Sequence, residues 1–173
     1  MRKLMVVIAV VVMVLLGCVT TPTEPAKFTA TVDDSYKDGA VVVVGLGLEV
    51  ERSWGRTEFR GVTIGIKNLT KLPVIVVWDQ SSINYGGTSH AVFLDGQKYI
   101  DAGRGVPNQV IAAGMYVTHA VFPADNVFYI SSQYGGWNLK PILAEEVSVL
   151  LSVKVGGEDR FYTVTFVVES FGG

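Results

Sequence analysis

Catalysis at neutral pH needs a group that titrates near 7, an activated nucleophile or a set of metal ligands, and this 173-residue chain is sparing with all three. It holds two histidines, His90 and His119, and one cysteine, Cys18. One nucleophilic constellation can be drawn from neighbouring positions: Ser81, Ser82 or Ser89 as nucleophile, His90 as base and Asp79 as the orienting acid, the grouping by which a hydrolase turns a hydroxyl on a carbonyl. No Gly-x-Ser-x-Gly elbow presents any of these serines. A hydrolase on Asp79, Ser82 and His90 is therefore the least favoured class. His119 lies between Thr118 and Ala120 in an alternating segment and reads as a structural, hydrogen-bonded histidine. Without a Cys/His cluster no zinc site is expected. Residues 33–39, DDSYKDG, resemble a calcium loop only in composition, because Tyr36 and Lys37 fall where oxygen ligands are required and the distal Glu is missing. They read as a solvated turn. The glycine pairs mislead in the same way. Gly45-Leu46-Gly47 has Val50, and Gly103-Arg104-Gly105 has Asn108, where a dinucleotide fingerprint needs its third glycine. The first pair reads as a strand interior with a bulge or close sheet packing, the second as a loop. No catalytic residue, metal or cofactor is expected, and the protein reads as non-enzymatic.

Aromatic side chains are the remaining resource for recognition, 18 in all. Trp54, Tyr85, Tyr134 and Trp137 stand in or beside predicted loops and next to glycines, as Trp54-Gly55, Tyr85-Gly86-Gly87 and Tyr134-Gly135-Gly136-Trp137. Exposed, they would stack on sugar rings or anchor a partner protein; buried, they would cap the open ends of the domain. These four are the candidate binding residues. A glycan-binding module using Trp54, Tyr134 and Trp137 is the second functional reading. Trp78, in step with Val74 and Val76, is expected in the core.

The elements that must position these groups are strands. From residue 28 the apolar pattern has period two, the chain contains 30 valines, and no long stretch keeps a helical stripe. Candidate strands are 28–32, 40–52, 58–68, 73–79, 90–94, 97–101, 115–122, 127–130, 147–155 and 160–169. Residues 80–89, 102–114 and 131–146 read as connections, the last with a helical turn over 141–146. So many short strands separated by turn residues predict an all-β, two-sheet antiparallel sandwich. Asp95-Gly96 predicts a type I′ hairpin with Val92 opposite Tyr99 and Phe93 opposite Lys98. A turn through Gly157-Glu158 sets Val153 opposite Tyr162 and Val149 opposite Phe166, joining two apolar faces. In the first long hairpin, Leu46, Leu48 and Val50 are expected to meet Val62, Ile64 and Ile66.

The whole chain is 49% apolar, but the excess is at the start. Fourteen of the first 17 residues are apolar, and without them the rest is about 46% apolar, the ordinary globular range. Arg2 and Lys3 precede an unbroken apolar run over 4–16, too short to span roughly 30 Å of hydrocarbon as a helix but suited to a secretory signal. The run closes in Leu15-Leu16-Gly17-Cys18, which resembles the lipobox of bacterial lipoproteins. The resemblance implies cleavage before Cys18, a diacylglycerol on its thiol and an acyl chain on its new amino group, hence attachment to the membrane through lipid. Several chains are needed, since one alone holds only marginally. Val19 stands where an Asp would favour retention in the inner membrane, so the resemblance favours the outer membrane. The expected organisation is a signal peptide over 1–17, a lipidated tether over 18–27 and a sandwich domain over 28–173. Without the leader, acidic residues exceed basic ones by about four. That excludes a basic footprint for nucleic acid.

Turn chemistry adds a second resemblance. Asn68-Leu69-Thr70, Asp95-Gly96-Gln97-Lys98-Tyr99, Ala113-Gly114 and Val121-Phe122-Pro123 are arranged as in Ig-like sandwich modules of bacterial envelope lipoproteins, with Ala113 where a proline is usual. This similarity covers about residues 40–171 and implies an Ig-like sandwich of accessory, non-enzymatic character. The expected function is a lipid-anchored cell-envelope protein that binds or scaffolds another envelope component, a protein or a glycan.

Overall fold

The computed structural model describes residues 27–32, 39–53, 56–101, 104–131 and 135–170. Twelve strands account for most of them: β1 (Lys27–Val32), β2 (Val41–Ser53), β3 (Arg56–Asn68), β4 (Val74–Val76), β5 (Ser82–Tyr85), β6 (Thr88–Leu94), β7 (Gln109–Ile111), β8 (Tyr116–Pro123), β9 (Val127–Tyr129), β10 (Trp137–Leu139), β11 (Glu146–Val155) and β12 (Glu158–Ser170). Three-residue 3₁₀ turns lie at Trp78–Gln80, Tyr99–Asp101 and Ala124–Asn126. The protein is all-β with antiparallel pairing throughout the described ladders. Among the described residues no helix is long and apolar enough to cross a membrane.

The strands follow one path, β1-β12-β11-β5-β6-β8-β3-β2, with β4 paired to the far half of β11 and carrying β7. β6 joins two sheets. Its first half pairs with β5 (Ser82↔Ala91), and its second half pairs with β8 (Leu94↔Val121). At the other margin β1 packs on β2, so the path nearly closes like a barrel. Gly45 is where the two come closest: a Cβ there would lie 2.5 Å from the Ala30 Cβ and 2.9 Å from the Phe166 ring.

Alternation explains the core. Val147, Val149, Leu151 and Val153 of β11, with Val164 and Phe166 of β12, face Val62, Ile64, Ile66 and Val121 across the interior, all fully buried. Burying one such side chain contributes roughly 1.5–3 kcal/mol. Trp78 is buried as expected, and His119, paired with Ile64, reaches the same interior and meets its indole edge-on at 5.3 Å.

Several expectations need correction. The last hairpin turns through Gly156-Gly157, both at positive φ (60° and 93°), so Leu151 faces Tyr162 and Val147 faces Phe166. The register differs by two residues from that expected, which leaves the apolar faces joined because the side-chain period is also two. Asp95-Gly96 is a turn, with Gly96 at φ 80°, but residues 97–101 form no return strand. The Gln97 side chain accepts the Leu94 N–H, β6 already pairs with β8, and the chain leaves through the 3₁₀ turn. In β2 a register shift between Gly45 and Gly47 turns Leu46 outward, and Val50 is exposed as well. The helical turn expected over 141–146 is absent; β11 starts at Glu146. Three short strands, β5, β7 and β10, arise where connections were expected.

Candidate functional site

Residues of the drawn hydrolase constellation do come together around one open recess of about 620 Å³, lined by Asp79, Ser82, His90, Gln80 and Arg104 among others. Their bonds point elsewhere. Asp79 leaves the core strand direction at the Trp78–Gln80 turn, and its carboxylate accepts the Val106 N–H at 3.0 Å. Ser82 donates to the Asn84 side chain at 3.1 Å. His90 Nδ1 lies 2.7 Å from Asp125 Oδ2, not from Asp79. Its Nε2, the atom a catalytic histidine would present to a nucleophile, is buried with no hydrogen-bond partner. Proton transfer requires that atom within hydrogen-bond reach of the reacting group. This geometry is a clamp, not an assembled triad.

The clamp is built from two connections. β5 and β6 form a hairpin through Gly86-Gly87, which sets Tyr85 and His90 on adjacent strands with rings stacked at 4.3 Å. The Ala124–Asn126 turn after β8 brings Asp125 to His90 and Asn126 to Tyr85, whose hydroxyl donates to Asn126 Oδ1 at 3.2 Å. Burial pushes the Tyr85 phenol above its ordinary value, the Asn126 hydrogen bond opposes this, and the Asp125 charge adds to the rise. Tyr85 is thus a neutral, half-buried packing residue, committed to His90 and Asn126.

Trp137 is different. It opens β10, pairs across the small sheet with Tyr129 of β9, and the two rings meet edge-on at 5.4 Å. Both are exposed, as is the adjoining Ile130. The β9–β10 hairpin is held at its base by the Lys140 N–H on the Asn126 carbonyl (2.8 Å). Arg60 of β3 fixes its middle, reaching Asn138 at 2.5 Å and the carboxylates of Glu51 and Glu58 at 2.6 and 3.0 Å. Trp54, Tyr134 and Cys18 lie outside the described residues. Among the described residues no group of three His, Cys, Asp or Glu side chains is placed to hold a metal ion.

Sequence reasoning did not single out Asp125, Asn126 or Tyr129. Asp125 and Asn126 follow Phe122-Pro123, a composition that signals a turn; their partners are 35 and 41 residues away and carry no local signal. Comparison with protein-family models, curated proteins and solved structures returns no match to this chain.

Proposed function

We propose that this is a lipid-anchored, non-enzymatic protein of the cell envelope, favouring the outer membrane, whose Ig-like sandwich presents a loop-rich end to another envelope component. The lipobox-like Leu15-Leu16-Gly17-Cys18 behind a 13-residue apolar run carries this reading. The antiparallel, two-faced core supports the sandwich description, and the diverted bonds of Asp79, Ser82 and His90 support the absence of hydrolase chemistry. Labelled fatty acid should enter the wild-type chain and not Cys18→Ser, and the variant should leave the membrane fraction. Unchanged partitioning of Cys18→Ser would refute the anchor.

The exposed edge-on pair of Trp137 and Tyr129 favours, as a second reading, stacking on a sugar ring. Titration with peptidoglycan fragments should then quench Trp137 fluorescence in wild type and leave Trp137→Ala unresponsive. Equal responses in both would remove the glycan reading.

A further inference from the structure

We infer that the partner of this loop-rich end is the bilayer itself: Leu143, Trp137, Tyr129 and Ile130 form an interfacial contact that the lipid anchor presses onto the membrane surface. The inference rests on the anchor reading above and adds an orientation to it.

Phe28, at the start of β1, pairs with Val168, whose N–H bonds the Glu145 carbonyl at 2.8 Å. Leu143 is two residues earlier and 91% exposed. Chain reach and ladder spacing put its Cα within roughly 17 Å of the Phe28 Cα. The segment between Cys18 and β1, VTTPTEPA, reaches about 25 Å when extended. An anchor at Cys18 therefore holds this end of the domain within touching distance of the bilayer. The hairpin belongs to the same end, since Tyr85 pairs with Val147 at the start of β11 and its hydroxyl holds Asn126 at the hairpin base.

Trp and Tyr carry an apolar body and a polar tip, which suits the headgroup level, and a leucine this exposed has apolar surface to bury. The neighbouring Glu145 and Glu146 are exposed, and the chain is net acidic, so anionic lipid offers no attraction. The contact is apolar and works because tethering supplies a high local concentration of membrane.

The test uses the thiol chemistry of the full, lipid-modified chain. If Cys18 carries lipid, Leu143→Cys has the one free thiol and accepts a maleimide-linked NBD dye; Glu158→Cys, at the far end of β11 roughly 30 Å away, is the control. On neutral phosphatidylcholine vesicles, emission from position 143 should rise several-fold, be quenched by doxyl-labelled lipid, and persist at high salt. Position 158 should do neither. Dye at 143 as water-exposed as dye at 158, on vesicle-bound protein, would overturn the bilayer contact alone. Wild-type protein that takes the maleimide at Cys18 and stays off vesicles would overturn the anchor and this inference together. A signal that grows with protein density and vanishes at one chain per vesicle would assign the face to a second copy and overturn the bilayer assignment.

Discussion

Asn68 ends β3 with no exposed surface, and both ends of its amide are occupied. Its Nδ2 donates to the carbonyls of Leu72 (2.8 Å) and Ile111 (3.0 Å), and its Oδ1 accepts from the backbone and hydroxyl of Thr70, both at 2.8 Å. One side chain thus shapes the turn after β3 and ties it to β7. Asn68→Ala should cost roughly 2–4 kcal/mol in urea unfolding, because it strands a buried carbonyl and opens the turn; a loss near zero would contradict the role. The Asn-Leu-Thr string was legible as a turn, but the link to Ile111, 43 positions on, was not. His119 supplies a pH dependence. Burial lowers its pKa below 6.5, and the charge of Asp95, 4.0 Å from Nδ1, only partly offsets this. The folded state disfavours the imidazolium that the unfolded chain accepts. Stability should therefore be full above pH 6.5 and decline as pH falls through the depressed folded value. His119→Gln should flatten that decline in denaturant titrations run at successive pH values; an unchanged slope would assign the decline to other groups.

At the scale of elements, glycines decide which strands approach. Gly61 and Gly65 lie on the outer face of β3, each under an aromatic side chain of β8. A Cβ at Gly61 would lie 2.5 Å from both the Val121 carbonyl oxygen and the Phe122 ring. Backbone cannot retreat from that contact, so Gly61→Ala should destabilise by roughly 1–3 kcal/mol. At Gly65 the obstacle is the far end of Tyr116, which is exposed and free to swing away. Gly65→Ala should be close to neutral, and paired thermal melts separate the two; similar losses would show that Tyr116 is as fixed as the backbone. The sequence pointed to this class of effect once, at Gly45-Leu46-Gly47, where glycines inside a strand suggest a bulge or close packing; the structure has both, and the bulge breaks the alternation expected through Leu46. It did not reveal β5, β7 or β10. Strands of three or four residues containing Ser82, Asn84, Gln109 and Asn138 are too short to show a period, and they are strands because a neighbour offers its edge.

The molecule as a whole was legible in its class and much less so in its closure. Valine alternation is a local property of each strand and fixes an all-β core, whereas the change of partner along β6 and the meeting of β1 with β2 depend on residues far apart in the chain. β1 matters most here. Its six residues pair with β12 from Lys27↔Ser170 to Val32↔Val164, and Ala30 packs against Gly45 at the seam between the path's two ends. It is also the strand that any lipid-bearing tether pulls on. A chain beginning at residue 33 should lose on the order of 3–5 kcal/mol relative to one beginning at residue 27, from lost ladder bonds and uncovered core. Removing β1 also leaves β12 with an unpaired edge, which invites pairing between copies. Urea unfolding with sedimentation velocity checks both: the expected result is a lower midpoint accompanied by dimers or larger species. An unchanged midpoint with a monomeric chain would mean that the seam between β1 and β2 contributes nothing to the fold.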